Sequence, residues 1–111
     1  MADVVVTLRE RHRREMERMA RAIAEIDQVL AAYARQHGGR FIRYGSTAKG
    51  RMMRHSDVDI IADFEGDAAR EAASFAEEVC FSHKMIPDVR PSYYAANGLT
   101  ARALEEGVTL S

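Results

Sequence analysis

The chain reads Tyr44-Gly45-Ser46-Thr47-Ala48-Lys49-Gly50 and, after five further residues, Ser56-Asp57-Val58-Asp59-Ile60-Ile61. In an extended strand, successive side chains point to opposite faces of the sheet. The second segment therefore predicts a strand over residues 57–64. One face of it carries Asp57, Asp59, Ile61 and Asp63. The other face is wholly apolar, and we expect it to be the core side: Val58, Ile60, Ala62 and Phe64.

The paired aspartates of this strand are the first candidate for chemistry. Carboxylates at alternate positions of one strand face lie about 6.5–7 Å apart along the backbone. Like charges so placed repel, and one of them tends to take up a proton unless a cation compensates. Oxygen ligands suit Mg²⁺ or Mn²⁺, with triphosphate oxygens completing the shell. We therefore predict that Asp57 and Asp59 bind metal; the alternative is that they are only turn residues at the start of a strand.

The Gly45-Ser46 dipeptide follows a short predicted strand over residues 41–44. Glycine lets the backbone approach a phosphate closely, and the amide and the serine hydroxyl can donate to phosphate oxygens. Lys49 is a candidate for neutralising further phosphate charge, although a solvated position is the more common fate of such a residue. The same two interpretations apply to Arg51 and Arg54. A phosphate cradle ahead of a metal-binding pair suits phosphoryl or nucleotidyl transfer, where positioning and electrostatic stabilisation supply most of the catalysis.

The remaining sequence predicts an α/β domain. Apolar residues recur at spacings of three and four on one stripe of a long helix over residues 1–37, which Gly38-Gly39 ends; they are Met16, Met19, Ile23, Ile26, Leu30 and Tyr33. A helical turn over 47–53 follows the first strand. Asp67 is predicted to cap a helix over 67–83, which leads to a strand over 85–89. A helix over 99–106 and an extended segment over 108–110 complete a mixed sheet of about four strands with helices packed on it. We expect a single domain, 1–111, with the helix preceding a catalytic core at 40–111.

The amino-acid composition limits the partners and the cellular compartment that we expect for the chain. The 111 residues include 16 basic and 17 acidic side chains, for a net charge of -1, so a nucleic-acid partner is not expected. Cys80 is the lone cysteine, which excludes an intramolecular disulfide and favours a reducing compartment. No apolar run reaches membrane-spanning length, and we predict a cytoplasmic protein. Arginines crowd residues 9–21; a solvated face is the favoured interpretation, and a docking surface for an acidic partner is the alternative.

The two quoted segments resemble the signature of the DNA polymerase β-like nucleotidyltransferase superfamily, in which Gly-Ser precedes a spaced Asp-x-Asp. They are most similar to the minimal nucleotidyltransferases. The similarity in spacing and element order runs from Phe41 onward and does not include the N-terminal helix. The joint match at fixed spacing is specific, whereas an isolated Asp-x-Asp is not; the matching residues are Gly45, Ser46, Ala48, Lys49, Gly50, Ser56, Asp57, Asp59 and Ile60.

This resemblance implies a polymerase β-like fold, two Mg²⁺ ions and ATP or another nucleoside triphosphate as donor. It also implies a third carboxylate on a later strand, as the base for the acceptor hydroxyl or as a further metal ligand. Asp88 is the best match. Pro87 precedes it and cannot donate to a strand ladder, so a displaced surface aspartate is the alternative. Asp63 and Glu65 are substitutes, but they should fall beyond the metal site.

The resemblance further implies a toxin–antitoxin context, in which a minimal transferase adenylylates a HEPN ribonuclease toxin. Two other functions stay open at this point. The chain could neutralise a partner by binding alone, or it could adenylylate an antibiotic, although the relatives that do so carry an additional C-terminal domain. A chain of this length also favours a homodimer or a partner chain that supplies missing walls of the site, with the amphipathic helix as one candidate contact.

Overall fold

The computed structural model describes residues 7–53, 55–95 and 98–111, and it begins with a long helix, α1, at Leu8–His37. Thr7 caps this helix, because its hydroxyl accepts a hydrogen bond of 3.1 Å from the amide of Glu10. Gly38 ends it in the left-handed conformation, and its amide bonds to the carbonyl of Ala34. The predicted helix over 1–37 is thus confirmed from Leu8 onward, and its first six residues lie outside the described ranges.

The predicted apolar stripe of α1 packs against the chain's own sheet. Met19, Ile26 and Leu30 are almost completely buried there. The first turns of the helix are exposed instead, and their arginines pair with glutamates on the same helix, as in Arg13–Glu17 at 2.7 Å. The stripe is therefore used within the chain, and the arginine-rich segment forms the solvated face that the sequence favoured.

The described residues form a sheet of four strands in the order β3-β2-β1-β4. Strand β1, Arg40–Tyr44, runs antiparallel to both β2, Val58–Asp63, and β4, Val108–Leu110. Helix α2, Asp67–Ser82, crosses from β2 to β3, Pro87–Pro91, so that β2 and β3 are parallel. Helix α3, Leu99–Glu106, precedes β4. The predicted α/β class, with a mixed sheet of about four strands and packed helices, is confirmed.

Helices cover the two faces of the sheet unequally. Helices α1 and α2 pack on the face that the alternation of β2 predicted to be the core side, where Val58, Ile60, Ala62 and Phe64 are all buried. On the opposite face, Ala103 of α3 packs with Ile42 and Ile61 in a smaller cluster. This small cover shields the middle of β2, and Asp59 lies next to it on the same face, only partly exposed.

The helical turn predicted over residues 47–53 is wrong in position. A 3₁₀ turn forms earlier, at Gly45–Thr47, and we call it the glycine turn. It begins directly at the end of β1 because Gly45 takes a left-handed backbone with φ of 72°, which reverses the chain. The carbonyl of Gly45 then accepts from the amides of Ala48 and Lys49 at 3.1 and 3.2 Å.

Two boundaries in the second half also differ from the prediction. Strand β3 begins at Pro87 instead of residue 85, because the amide of Met85 still bonds to the carbonyl of Cys80 at the end of α2, at 2.9 Å. Helix α2 is preceded by Gly66 as its cap, and Asp67 occupies the first turn, where a negative charge favours the helix dipole. A short 3₁₀ turn at Ser92–Tyr94 was not predicted. Within the described ranges, none of the helices combines the length and apolarity that a membrane span needs.

Candidate active site

The structure places two of the three predicted catalytic aspartates side by side. Strands β2 and β3 are parallel neighbours, and their register pairs Asp59 with Asp88. Adjacent strands lie about 4.8 Å apart, so side chains at paired positions on one face are in contact range. The third carboxylate suggested by the sequence is thus adjacent to the Asp-x-Asp pair in space, although a helix separates them in the chain.

Pro87 does not displace Asp88. Among the described residues, strand β3 lies at the edge of the sheet, with β2 as its one partner. The carbonyl of Ile86 accepts from the amide of Val58 at 2.8 Å, so the peptide groups of residues 86 and 88 face β2. Because backbone groups alternate along a strand, the nitrogen of Pro87 points to the open edge, where no ladder bond is lost.

Asp59 lies in an electrostatic environment that favours its protonated form. The pKa of Asp59 is raised to about 6, first by burial, then by the charge of Asp88 and a side-chain hydrogen bond with it, and then by the charge of Asp57. Arg90 is the opposing influence and lowers the pKa. Asp88 and Asp57 therefore act on Asp59 as like charges held close to it are expected to do.

Asp57 is the most exposed of the three aspartates and lies immediately before β2, which begins at Val58 instead of residue 57. Its negative charge still reaches Asp59. Among the residues that the structure describes, no three histidine, cysteine, aspartate or glutamate side chains form a ready-made metal cluster. The oxygen-only donor set and the unbalanced charge around Asp59 nevertheless fit a hard divalent cation.

The glycine turn closes directly against Asp59. A Cβ atom added to Gly45 would meet the carboxylate oxygen Oδ2 of Asp59 and would lie 3.2 Å from its Cγ. A side chain here would therefore collide with the acid, in addition to straining the left-handed backbone. The predicted phosphate cradle and the predicted metal ligand are thus in contact.

Lys49 lies beside the glycine turn without approaching the carboxylates. Its Nζ is 3.4 Å from a carboxylate oxygen of Glu106 on α3, and both side chains are exposed. Lys49 and Arg102 line an open pocket of about 310 Å³ between the glycine turn and α3, with Tyr44 and Gly45 on its other side. The pocket adjoins the acid cluster through Tyr44, whose backbone position pairs with Asp59.

Other residues considered from the sequence fall away from this cluster. Asp63 bonds to Arg40 Nε at 2.8 Å at the far end of β2, and Glu65 is exposed beyond that end. Arg51 is exposed on the loop between the glycine turn and β2. Arg54 lies outside the described residues. The substitutes suggested for the third carboxylate are therefore remote from Asp59, as the sequence indicated.

Two residues that the sequence interpretation did not single out complete the site. Arg90 Nε lies 3.7 Å from Asp88 Oδ1, and its charge also reaches Asp59. The pKa of the Tyr44 phenol is raised, first by burial and then by the charge of Asp59, whereas Arg90 lowers it. The alternation that places Arg90 on the face of Asp88 was readable in the sequence, whereas the position of Tyr44 required the strand register.

The raised pKa of Asp59 should be measurable as a pH dependence of protein stability. The folded chain holds the Asp59 proton more tightly than the unfolded chain does. The resulting stabilisation is complete below the ordinary pKa of 3.8 and is lost as the pH rises through about 6. In EDTA, we therefore expect Asp59→Asn to have a higher Tm than the unaltered chain at pH 7.5 and a nearly equal Tm at pH 4. Thermal unfolding at both pH values measures this, and an equal difference at the two pH values would contradict it.

The comparisons with known proteins agree with this geometry. A family described as "Nucleotidyltransferase domain" matches residues 26–109, which include the C-terminal part of α1, the glycine turn and all three aspartates. Comparison with curated proteins gave no match, and neither did comparison with solved structures. The family match spans most of the chain, agrees with the resemblance to polymerase β-like enzymes, and supports transfer of a nucleoside monophosphate as the general activity. The chain therefore belongs to the nucleotidyltransferase domain family.

Proposed function

We propose that the protein is a Mg²⁺-dependent adenylyltransferase that moves AMP from ATP onto a hydroxyl group of a partner protein. One observation carries the proposal: Asp59 and Asp88 are paired across parallel strands, and the glycine turn closes against Asp59. This arrangement sets acidic oxygens next to a backbone turn that can receive phosphate. Few other uses explain why adjacent carboxylates are kept at a cost in charge repulsion.

Asp57 and Asp59 would hold the cation, and Asp88 lies beside them. Mg²⁺ at nucleotide sites usually binds one or two protein carboxylates together with phosphate oxygens and water. When bound, the ion would neutralise charge on the triphosphate and on the reacting phosphoryl group. The raised pKa of Asp59 is consistent with this role, because burial and the neighbouring carboxylates disfavour its charged form, which a nearby cation would favour.

The donor triphosphate would lie over the glycine turn. Gly45 allows the close approach, and the hydroxyl of Ser46 can donate to phosphate oxygens. Lys49 and Arg102 provide positive charge along the adjoining pocket of about 310 Å³. The Lys49 ammonium pairs with Glu106 in an exposed contact, and because exposed ion pairs are weak, Lys49 can turn toward phosphate.

The reaction requires a base for the acceptor hydroxyl. Asp88 takes up the hydroxyl proton while the acceptor oxygen forms a bond to the α-phosphorus. The bond between the α-phosphorus and the oxygen that bridges to the β-phosphorus breaks, and pyrophosphate leaves. Arg90, 3.7 Å from Asp88, orients the carboxylate and contributes positive charge near the transferring group.

The resemblance to minimal nucleotidyltransferases makes a HEPN-type toxin the proposed acceptor protein and ATP the proposed donor. A small acceptor such as an antibiotic would need enclosing walls, whereas the pocket beside the glycine turn is open and bordered mainly by α3. An open border suits an acceptor that brings its own surface. Cytoplasm is the proposed compartment, where Cys80 would remain reduced.

Label transfer tests the proposed activity. The purified protein is incubated with Mg²⁺ and ATP labelled at the α-phosphorus, alone and together with the product of the neighbouring gene. We expect label to appear on that product, and we expect none when the ATP is labelled at the γ-phosphorus, because pyrophosphate carries that atom away. Excess unlabelled GTP, CTP or UTP should compete less well than unlabelled ATP.

The same assay separates catalysis from binding alone. If the neighbouring product is neutralised without acquiring label, and neutralisation persists in Asp59→Asn, the chain acts by covering its partner and the proposed transfer is wrong. Label that appears equally from α- and γ-labelled ATP would indicate a different reaction, in which intact nucleotide or several phosphates are retained.

A further inference from the structure

Within residues 7–53, 55–95 and 98–111, Arg43 is the one charged residue that is buried, with 6% of its surface exposed. It lies on β1, and its guanidinium makes two parallel hydrogen bonds to Asp27 on α1. Nε donates to Oδ1 and Nη2 donates to Oδ2, both at 2.8 Å. This two-pronged geometry fixes the plane of the guanidinium and connects α1 rigidly to the sheet.

The remaining nitrogen of the same guanidinium faces the glycine turn. Nη1 of Arg43 donates to the hydroxyl of Thr47 at 3.4 Å. Thr47 is the last residue of the turn, and Gly45, which contacts Asp59, is the first. Helix α1, strand β1 and the glycine turn are thus connected through a single buried side chain.

We propose that Asp27 and Arg43 are positioning residues that hold the glycine turn in place for the nucleotide triphosphate. The inference rests on the proposed function, in which that turn receives phosphate. Neither residue touches substrate; Asp27 fixes Arg43, and Arg43 anchors Thr47. A buried ion pair contributes little net stability compared with an apolar pair of the same volume, so a geometric role accounts for its presence better than a stabilising one.

Strands β1 and β2 provide a matched control at the end far from the glycine turn. Arg40 of β1 bonds to Asp63 of β2 at 2.8 Å, with side chains that are 41% and 28% exposed. This pair resembles Asp27–Arg43 in chemistry and length, but it does not reach the glycine turn. A variant of Asp63 therefore reports what the loss of one Arg–Asp pair does to the fold without altering the turn.

The first test is nucleotide binding by Thr47→Val, because this variant leaves the ion pair between Asp27 and Arg43 intact. Calorimetry with the Mg²⁺ complex of α,β-methylene-ATP measures the Kd without turnover. The bond from the charged Arg43 guanidinium to Thr47 is long at 3.4 Å, so we expect its loss in Thr47→Val to weaken binding about fivefold, the effect of an ordinary hydrogen bond. Thr47→Ser, which restores the hydroxyl, should remain within about twofold of the unaltered chain.

Asp27→Asn should raise the Kd by about tenfold or more, because Arg43 loses its fixed plane as well as its charge partner. In turnover assays the KM for ATP should rise while kcat stays nearly constant. This pattern is expected when a variant weakens binding of the ground state and the transition state equally. Asp63→Asn should leave both constants unchanged. Adding Thr47→Val to Asp27→Asn should weaken binding by less than the product of the two separate effects, since both act through Arg43.

Each possible result decides the question. If Thr47→Val and Asp27→Asn bind the analogue as the unaltered chain does, the positioning role is wrong and the pair only holds α1. If Asp27→Asn does not fold, the Thr47→Val and Thr47→Ser pair decides alone. If the unaltered chain does not bind the analogue, the proposed function is wrong, and this inference is wrong with it. That result differs from equal binding by the unaltered chain and the variants, which would contradict the positioning role alone.

Discussion

Asp59→Asn is expected to reduce nucleotidyl transfer by about 10³-fold or more, since removing one group that stabilises transition-state charge already costs 10²–10³-fold. Asp59 is central to the site because the charges of Asp57 and Asp88 both act on it and the glycine turn closes against it. Asparagine preserves its shape and removes its charge. The initial rate of pyrophosphate release, with ATP and the acceptor protein at saturation, measures the effect.

Asp63→Asn is the control for this variant, because Asp63 is on the same face of β2 and pairs with Arg40 at the far end. We expect its rate to stay within about twofold of the unaltered chain, as surface substitutions away from a site usually have small effects. Equal losses in Asp59→Asn and Asp63→Asn would show that the strand as a whole, and not the acid at its start, governs activity.

Gly45→Ala is expected to reduce activity strongly and to destabilise the fold at the same time. Gly45 has φ of 72°, which alone costs alanine about 1–2 kcal/mol. The added methyl group would also collide with the Asp59 carboxylate, so either the turn or the acid must move. Because the phosphate cradle and the metal ligand touch at this point, displacement of either one should reduce the rate by about 10²-fold or more. Urea unfolding and the pyrophosphate assay measure the two effects.

Gly50→Ala separates the collision from the backbone strain. Gly50 has a similar φ of 68°, but a Cβ atom there would meet no atom within 4 Å. We therefore expect a loss of about 1 kcal/mol in stability with little change in rate. If Gly45→Ala loses no more activity than Gly50→Ala, the contact between the turn and Asp59 does not matter for catalysis.

The parts of the site that follow from local rules could be predicted from the sequence. Alternation along β2 identified the core face, and Val58 and Ile60 are buried as expected. The Gly-Ser and Asp-x-Asp spacing pointed to the family that matches residues 26–109. Both are short-range properties, because strand periodicity and motif spacing are set by the backbone itself.

The parts that depend on tertiary pairing could not be predicted in the same way. The pairing of Asp59 with Asp88 depends on a parallel register that α2 determines through its packing. Pro87 appeared unfavourable in a strand because nothing in the sequence showed that β3 would be an edge. The partner of Arg43 is Asp27, on a helix outside the motif, and no local pattern indicates that contact.

The orientation of β3 has a consequence for the behaviour of the chain in solution. Border strands are usually liable to recruit strands from other molecules, because their unpaired amides can continue the ladder. In β3, the outward-facing positions are 87, 89 and 91, and two of them are prolines without an N–H group. Only the amide of Val89 remains on that side to begin cross-molecule pairing. Strand β3 can therefore hold Asp88 beside Asp59 at the border of the sheet while its two prolines discourage aggregation there.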